Sequence, residues 1–441
     1  MTPGELSEQA AARVLADLGR TGERGVVVDS PPGAGKSALV VRAAAELAVA
    51  GEPVMVVAQT NEQVDDLTDR LASAQPSLPI GRLHGREYLP PARVTRHRSV
   101  TMSSRASSLA GCAVVLGTAA KWALLAEDAS WPWAIVDEAY QMRSDLLLRF
   151  AGRFDRALFV GDPGQLDPFS AVETDRWTGL TWDPMQSAVA VLLRHNPGIG
   201  VHRLPVSWRL PEPAAAVVSD AFYPFGGFRA GAGPAERRLE FTVRALGDGA
   251  IDGALELALT SGWALFELPA GYTVRTDSQA VFTCVAVATR LLQRGAVAYS
   301  EQAPAGRPVT PDRVAIGTAH RDQAQAVRSV LAGMGPGLAG IAVDTANRLQ
   351  GREFDVTIVL HPLSGRRDAA AFHLEAGRLC VLASRHRHAC VVVARAGIPE
   401  LLDAHPSTEP VHLNVPAKFP DGWEANQAVM AHLANWRVRA L

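Results

Sequence analysis

The sequence predicts an α/β protein built from two domains, each with a parallel sheet. Three observations lead there. Short runs rich in Val, Ile and Ala recur along the chain and alternate with stretches of helical periodicity, the pattern of strands buried on both faces between crossover helices. Polar and Gly-rich residues follow several of these runs directly, as they do where a parallel sheet gathers a ligand at the carboxyl ends of its strands. The 441 residues are enough for two to four domains at about 100–200 residues each.

The runs fall into two series. The first comprises Gly25–Asp29, Pro53–Ala58, Ala113–Leu116, Trp133–Val136 and Ala157–Val160, and it ends near residue 170. The second comprises Val314–Gly317, Ile341–Val343, Val356–Leu360 and Cys390–Ala394. The expected domains are therefore 1–198 and 199–441. Within the first, about 72–111 is rich in Pro, Ser and Arg and reads as a small insert. Arg229–Pro234, Ser300–Pro311 and Gly333–Gly340 read as loops. Beyond Gly397 the sequence predicts a Pro-containing loop and then a helical segment, Glu424–Arg439.

Composition narrows the class. Hydrophobic residues make up 48% and charged residues 20%, which excludes a largely disordered chain. The formal net charge is −2, so any polyanion must be met by a local surface. Lysine is scarce: Lys36, Lys121 and Lys418 are the only three. Cys112, Cys284, Cys380 and Cys390 form no C-x-x-C pair, against a zinc ribbon or disulfide framework. The amino-terminal residues lack a signal-peptide pattern, and no apolar run approaches the ~18 residues of a membrane span. A cytoplasmic protein with no membrane partner is expected.

The strongest local signal is Ser30-Pro31-Pro32-Gly33-Ala34-Gly35-Lys36-Ser37, placed between a strand and a helix. This is a phosphate-binding loop in its required context. Gly33 and Gly35 let the backbone wrap closely around phosphates, and successive N–H groups at a helix start attract the anion. Lys36 is suited to the β- and γ-phosphates of ATP, and the Ser37 hydroxyl to Mg²⁺. Asp137 and Glu138 end another strand. Asp137 is the candidate second Mg²⁺ residue and Glu138 the candidate base for the attacking water. Gln165, after a third strand, is placed to contact the γ-phosphate. The bland alternatives are a chance Gly-rich turn, a surface carboxylate pair and a Pro-Gly turn.

These elements resemble superfamily 1 helicases, in the branch related to the nonsense-mediated-decay helicase, which have tandem RecA-like P-loop domains. Leu6-Ser7-Glu8-Gln9-Ala10 resembles the Q motif, and the resemblance places Gln9 on the adenine edge. Ala58–Asp65 resembles motif Ia, Gly117-Thr118 motif Ic, Asp137-Glu138-Ala139 motif II and Gly161–Leu166 motif III. In the second half, Val206–Leu210 resembles motif IV, which assigns Trp208 to adenine stacking and Arg209 to the γ-phosphate. Gly317–Gln323 resembles the next motif. Leu349–Asp355, with Gly351, resembles motif V, whose glutamate binds ribose; Glu353 takes that role. Leu382–Arg385 resembles motif VI and makes Arg385 the second arginine finger. Ser207 stands where the family has Gln, Ala319-His320 where it has Pro-Tyr, Asn347-Arg348 where it has Asp-Gly, and His386-Arg387 where it has Ala-Lys.

The resemblance implies an ATP-dependent single-stranded DNA or RNA translocase or helicase, moving 5′-to-3′. It would hydrolyse ATP in the cleft between its two domains, with Mg²⁺ as cofactor. A protein partner that sets the pathway is allowed for. Thr60, Thr118, Thr318 and Thr345 each follow a strand and are the candidate strand contacts. A helix N-cap is an equally simple reading of each. Two other readings compete with the motor: an ATP-gated nucleic-acid clamp that does not unwind, and a small-molecule kinase. His386 and His388 are read as solvated or groove-lining, Arg366-Arg367 as a solvated loop, and Trp131 and Trp133 as packing residues.

Overall fold

Valine-rich runs become strands here because both of their faces find cover. In the computed structural model, residues 20–23, 167, 169–174, 178–179, 181–182, 184–185, 225, 234–235, 245–248, 275, 407–420 and 441 lie outside the described residues. Within the Pro-containing loop expected beyond Gly397, 407–420 lies in that set. The described contacts divide the chain into two units: 1–163 with 167–205, and 164–166 with 206–410 and 418–441.

The first unit holds an eight-stranded sheet. Its strands are β1 (Gly25–Asp29), β2 (Val54–Ala58), β3 (Ile80–Leu83), β4 (Val100–Ser103), β5 (Val114–Thr118), β6 (Trp131–Asp137), β7 (Phe154–Gly161) and β8 (Gly200–Arg203). They lie in the order β4-β3-β5-β2-β6-β7-β1-β8, and every pair is parallel. The segment 72–111 thus builds into the main sheet, with β3 and β4 continuing it past β5.

Alternate side chains serve opposite faces. Val26, Val28, Val54 and Val56 pack with Leu39, Val40, Leu67 and Leu71 from the helices α2 (Lys36–Val49) and α3 (Asn61–Ala74), which follow α1 (Pro3–Leu18). Val27, Met55, Val57 and Val136 pack on the other side with Trp122 and Phe150. Trp131 and Trp133 are buried in these clusters, as packing residues should be. Helix α1 starts sharply because Thr2 and Glu5 form a reciprocal capping box with Pro3 in the first turn.

The second unit contains a two-stranded pair, β9 (Val206–Ser207) and β10 (Arg229–Ala230), and a small antiparallel sheet of β11 (Arg238–Phe241), β13 (Ala296–Ser300) and β14 (Ala303–Pro308). Its main sheet has β12 (Trp263–Leu268), β15 (Val314–Thr318), β16 (Ala342–Thr345), β17 (Phe354–Leu360), β18 (His386–Arg395) and β19 (Arg437–Arg439). The order is β16-β15-β17-β18-β12-β19, again parallel throughout. Two parallel sheets with helices, in sequence, make an α/β protein of tandem RecA-like architecture.

Five local expectations are corrected. The expected loop Arg229–Pro234 contains β10, and the expected Pro-containing loop beyond Gly397 begins with the helix Ile398–Ala404, which takes Pro399 in its first turn. The segment Glu424–Arg439 is not one helix: the helix Gly422–Ala434 ends and β19 joins the sheet beside β12. The expected loop Ser300–Pro311 contains β14, which returns against β13 after a two-residue turn. His386 and His388 are neither solvated nor groove-lining, because β18 is buried along nearly its whole length.

Candidate nucleotide site

The loop after β1 is shaped by two left-handed glycines, Gly33 at φ 73° and Gly35 at φ 87°. Gly35 is the N-cap of α2 and offers no side chain to the helix start, so the first amides of α2 stay free to meet an anion. Ser30, at the position where the pattern usually has Gly, is buried, and its amide donates to the Gly161 carbonyl at 2.8 Å. That bond ties the loop to the end of β7. Ser37 lies in the first turn of α2.

Lys36 Nζ sits 2.5 Å from Glu138 Oε1, and both side chains are largely buried. Burial alone would lower the lysine pKa. The carboxylates of Glu138, Asp137 and Asp162 outweigh it and hold the ammonium above its ordinary range. Asp137 ends β6, and its Oδ1 accepts the Glu138 N–H at 3.0 Å. Burial pushes its carboxyl up to about 7, against the pull of Lys36. Glu138 has φ 53°, the only positive φ of a non-glycine among the described residues. Such a conformation costs of order 1–3 kcal/mol and is kept where the surroundings hold it. Here Lys36 and Gln141, whose Nε2 donates to Glu138 Oε2 at 2.9 Å, fix the carboxylate. Sequence reading missed Gln141. It also missed Tyr140, whose hydroxyl donates to Asp29 at 2.5 Å and whose ring fills the space left by Gly161.

Gln9 is exposed on α1. Thr60 and Thr118 are N-caps: Thr60 Oγ1 accepts from the Gln63 amide and Thr118 Oγ1 from the Lys121 amide. Their hydroxyls are engaged in capping in this structure.

In the second unit, β9 leads straight into Trp208 and Arg209. Trp208 is 36% exposed, and its indole lies on Gly231, where a Cβ would overlap the ring. Arg209 is buried. Its Nη2 reaches Glu353 Oε1 at 2.9 Å and its Nη1 donates to the Ser384 carbonyl at 3.3 Å. Glu353 also meets Arg387 at 3.4 Å. Burial opposes its ionisation, but Arg209, Arg387 and Arg385 together pull its pKa below the ordinary range. Gly351 has φ 78°, the backbone reason for glycine in that turn.

Arg385 is 1% exposed; its Nε donates to the Val381 carbonyl and its Nη2 to Ser384 Oγ. Gln165 belongs with this unit, where its Oε1 accepts from Gln350 Nε2 at 2.7 Å. Thr318 is buried and donates to the His320 carbonyl. Thr345 is buried at the start of the helix Ala346–Leu349 without a side-chain cap bond. The structure thus brings Lys36 to Glu138, Arg209 to Glu353 and Gln165 to Gln350.

A phosphate loop after β1, with its lysine held by a carboxylate pair at the end of β6, defines a P-loop nucleoside triphosphatase. A family model described as an AAA domain matches residues 7–178, and a second, also described as an AAA domain, matches residues 273–397. Both matches agree with a nucleoside triphosphatase, and each covers less than half of the chain. Solved structures similar to the chain include the PRRSV helicase, at 14% identity and a TM-score of 0.43, covering 89% of this chain and 56% of that one. Arterivirus nonstructural protein 10, a helicase, is similar at 13% identity and 0.43, covering 88% and 61%. The complex of that arterivirus protein with DNA gives 13% and 0.42, covering 88% and 63%. The chain therefore spans less than two thirds of each of these three solved chains. No curated protein sequence matches this chain.

Proposed function

We propose that the protein is an ATP-driven translocase or helicase acting on single-stranded DNA or RNA. The observation that carries this reading is the pairing of Lys36 with Glu138 beside Asp137 at the ends of β1 and β6. In the nucleotide-bound protein Lys36 turns from Glu138 to the β- and γ-phosphates. Glu138, released, accepts a proton from the attacking water. Ser37 and Asp137 would hold Mg²⁺. A hydroxyl and a buried carboxylate at a strand end are the hard oxygen ligands that this ion takes, and it would neutralise charge on the phosphates. Gln9 and Trp208 bind the adenine, Glu353 the ribose, and Gln165 the γ-phosphate. Arg209 and Arg385, supplied by the second unit, neutralise charge on the transferred phosphoryl.

Thr60, Thr118, Thr318 and Thr345 remain the proposed strand contacts. The backbone amides beside them are part of that proposal, since the hydroxyls of Thr60, Thr118 and Thr318 have partners within the fold. Movement 5′-to-3′ and kinship with the nonsense-mediated-decay branch rest on the motif resemblance. A strand-displacement assay on a duplex with a 5′ single-stranded tail tests the motor. Unwinding that needs ATP and is lost in Lys36→Ala is the expected result. Strand-stimulated hydrolysis without displacement of any duplex would favour the clamp.

A further inference from the structure

We infer that Arg237 is a positioning residue for nucleotide binding: with Glu301 it forms a latch that fixes the backbone carrying Trp208 and Arg209. The inference rests on the roles proposed above for those two residues.

Arg237 lies just before β11 and belongs to none of the nucleotide motifs. It is 6% exposed. Its Nη1 donates to the Arg209 carbonyl and its Nη2 to the Trp208 carbonyl. The same guanidinium is gripped by Glu301, with Nη2 at 2.5 Å from Oε1 and Nε at 3.2 Å from Oε2. One planar fork thus spans two successive carbonyls and a carboxylate, a geometry that a lysine cannot reproduce.

The small sheet explains how the two partners meet. Arg238 pairs with Tyr299 in the antiparallel ladder of β11 and β13. Arg237 therefore emerges beside the end of β13, where Glu301 opens the turn to β14. Leu239, Ala296 and Ala298 seat the sheet on the core of the unit, and its end carries the latch.

The latch closes a circuit. Glu301 meets Arg387 at 3.9 Å, Arg387 meets Glu353 at 3.4 Å, and Glu353 holds Arg209 at 2.9 Å. Arg209 is thus held at both ends, its backbone by Arg237 and its guanidinium by the carboxylate proposed to bind ribose. When nucleotide draws Glu353 and Arg209 to itself, the grip on the backbone through Arg237 persists. It keeps the Trp208 indole, which is 36% exposed, on Gly231. Arg387 remains as the counter-charge for Glu353.

The test is steady-state ATP hydrolysis by the full chain, with Lys36→Ala as the blank. Wild type, Arg237→Lys, Glu301→Gln and Trp208→Ala are compared, together with each latch variant combined with Trp208→Ala. Thermal unfolding of each protein is followed in parallel. Loss of the fork geometry is expected to raise KM for ATP about tenfold in Arg237→Lys and less in Glu301→Gln. That rise should shrink to about twofold or less in the Trp208→Ala background, because the latch acts through the indole. A purely structural role would lower the unfolding temperature and leave KM of the folded fraction unchanged. That result, or a KM effect of equal size with and without Trp208, overturns the inference while leaving the ATPase reading intact. A wild-type chain with no Lys36-dependent hydrolysis overturns the reading itself, and the inference with it.

Discussion

Asp65 and Arg82 are both wholly buried and joined at 2.8 Å. Tyr88 adds a hydroxyl to Asp65, and Asn61 accepts from Arg82. The pair anchors α3, which begins right after the proposed strand contact Thr60, to β3. Removing one partner leaves a buried charge without compensation, which costs about 3–5 kcal/mol. Asp65→Ala should therefore unfold at markedly lower denaturant concentration, whereas Asp66→Ala, on the exposed side of the same helix, should be nearly neutral. Equal midpoints for the two variants would show that the buried pair contributes nothing. Asp65 was visible in the sequence only as part of motif Ia. Its partner lies 17 residues away on another element, and no local pattern reveals such a pairing.

At the scale of elements, the helix Ala376–Ala383 is pressed against the segment 164–166. A Cβ at Gly377 would overlap the carbonyl of Gln165 and the amide of Leu166. Gly377→Ala should force the two apart and break the Gln165–Gln350 bond. We expect a loss of about 1–3 kcal/mol in thermal stability and a fall in kcat for ATP larger than any change in KM. Unchanged melting and turnover would show that the segment yields freely.

β2, Val26–Val28 of β1 and Cys390–Ala394 of β18 were legible because they are apolar without interruption, the pattern of strands covered on both faces. The strands of the small sheet were not. Arg238–Phe241 and Ala303–Pro308 are short and partly exposed, and Gly and Pro within Ala303–Pro308 read as loop. β12 was overlooked because Glu267 interrupts its apolar run; Arg437 and Arg439 of β19 compensate that charge. The motifs of the phosphate loop could be read as contiguous words. The circuit of Arg209, Arg237, Glu301, Arg387 and Glu353 could not, because only folding gathers it.

For the molecule as a whole, two buried imidazoles set an acid limit. Burial lowers His361 and His386 to about 3. His361 Nδ1 accepts the Leu363 amide, and its Nε2 has no hydrogen-bond partner among the described residues. Both rings are neutral in the folded chain and protonated in the unfolded chain below about pH 6.5. Their contribution to stability is therefore full above about 6.5 and is lost progressively as pH falls toward about 3. At pH 5 each should cost about 2 kcal/mol relative to pH 7.5. Both lie in the second unit, so hydrogen exchange at pH 5 should rise first in β17 and β18, and His361→Phe should reduce the effect. Uniform exchange across both sheets would contradict this.

The phosphate loop belongs to one unit and the proposed arginine fingers to the other, so the proposed mechanism needs residues of both. Arg209→Ala and Arg385→Ala should each lower kcat by about 10³-fold, with ATP binding retained when checked by direct titration on folded protein. Turnover at the wild-type rate in both variants would remove the second unit from the chemistry.

The coupling of phosphate chemistry to a polynucleotide is tested most directly by ATP hydrolysis measured with and without matched single-stranded DNA and RNA, in the wild type and in Lys36→Ala. Low basal turnover is expected, with a rise on at least one strand that weakens as salt increases, and no turnover in the variant. Hydrolysis indifferent to every strand but raised by a small metabolite would contradict it and point to a kinase.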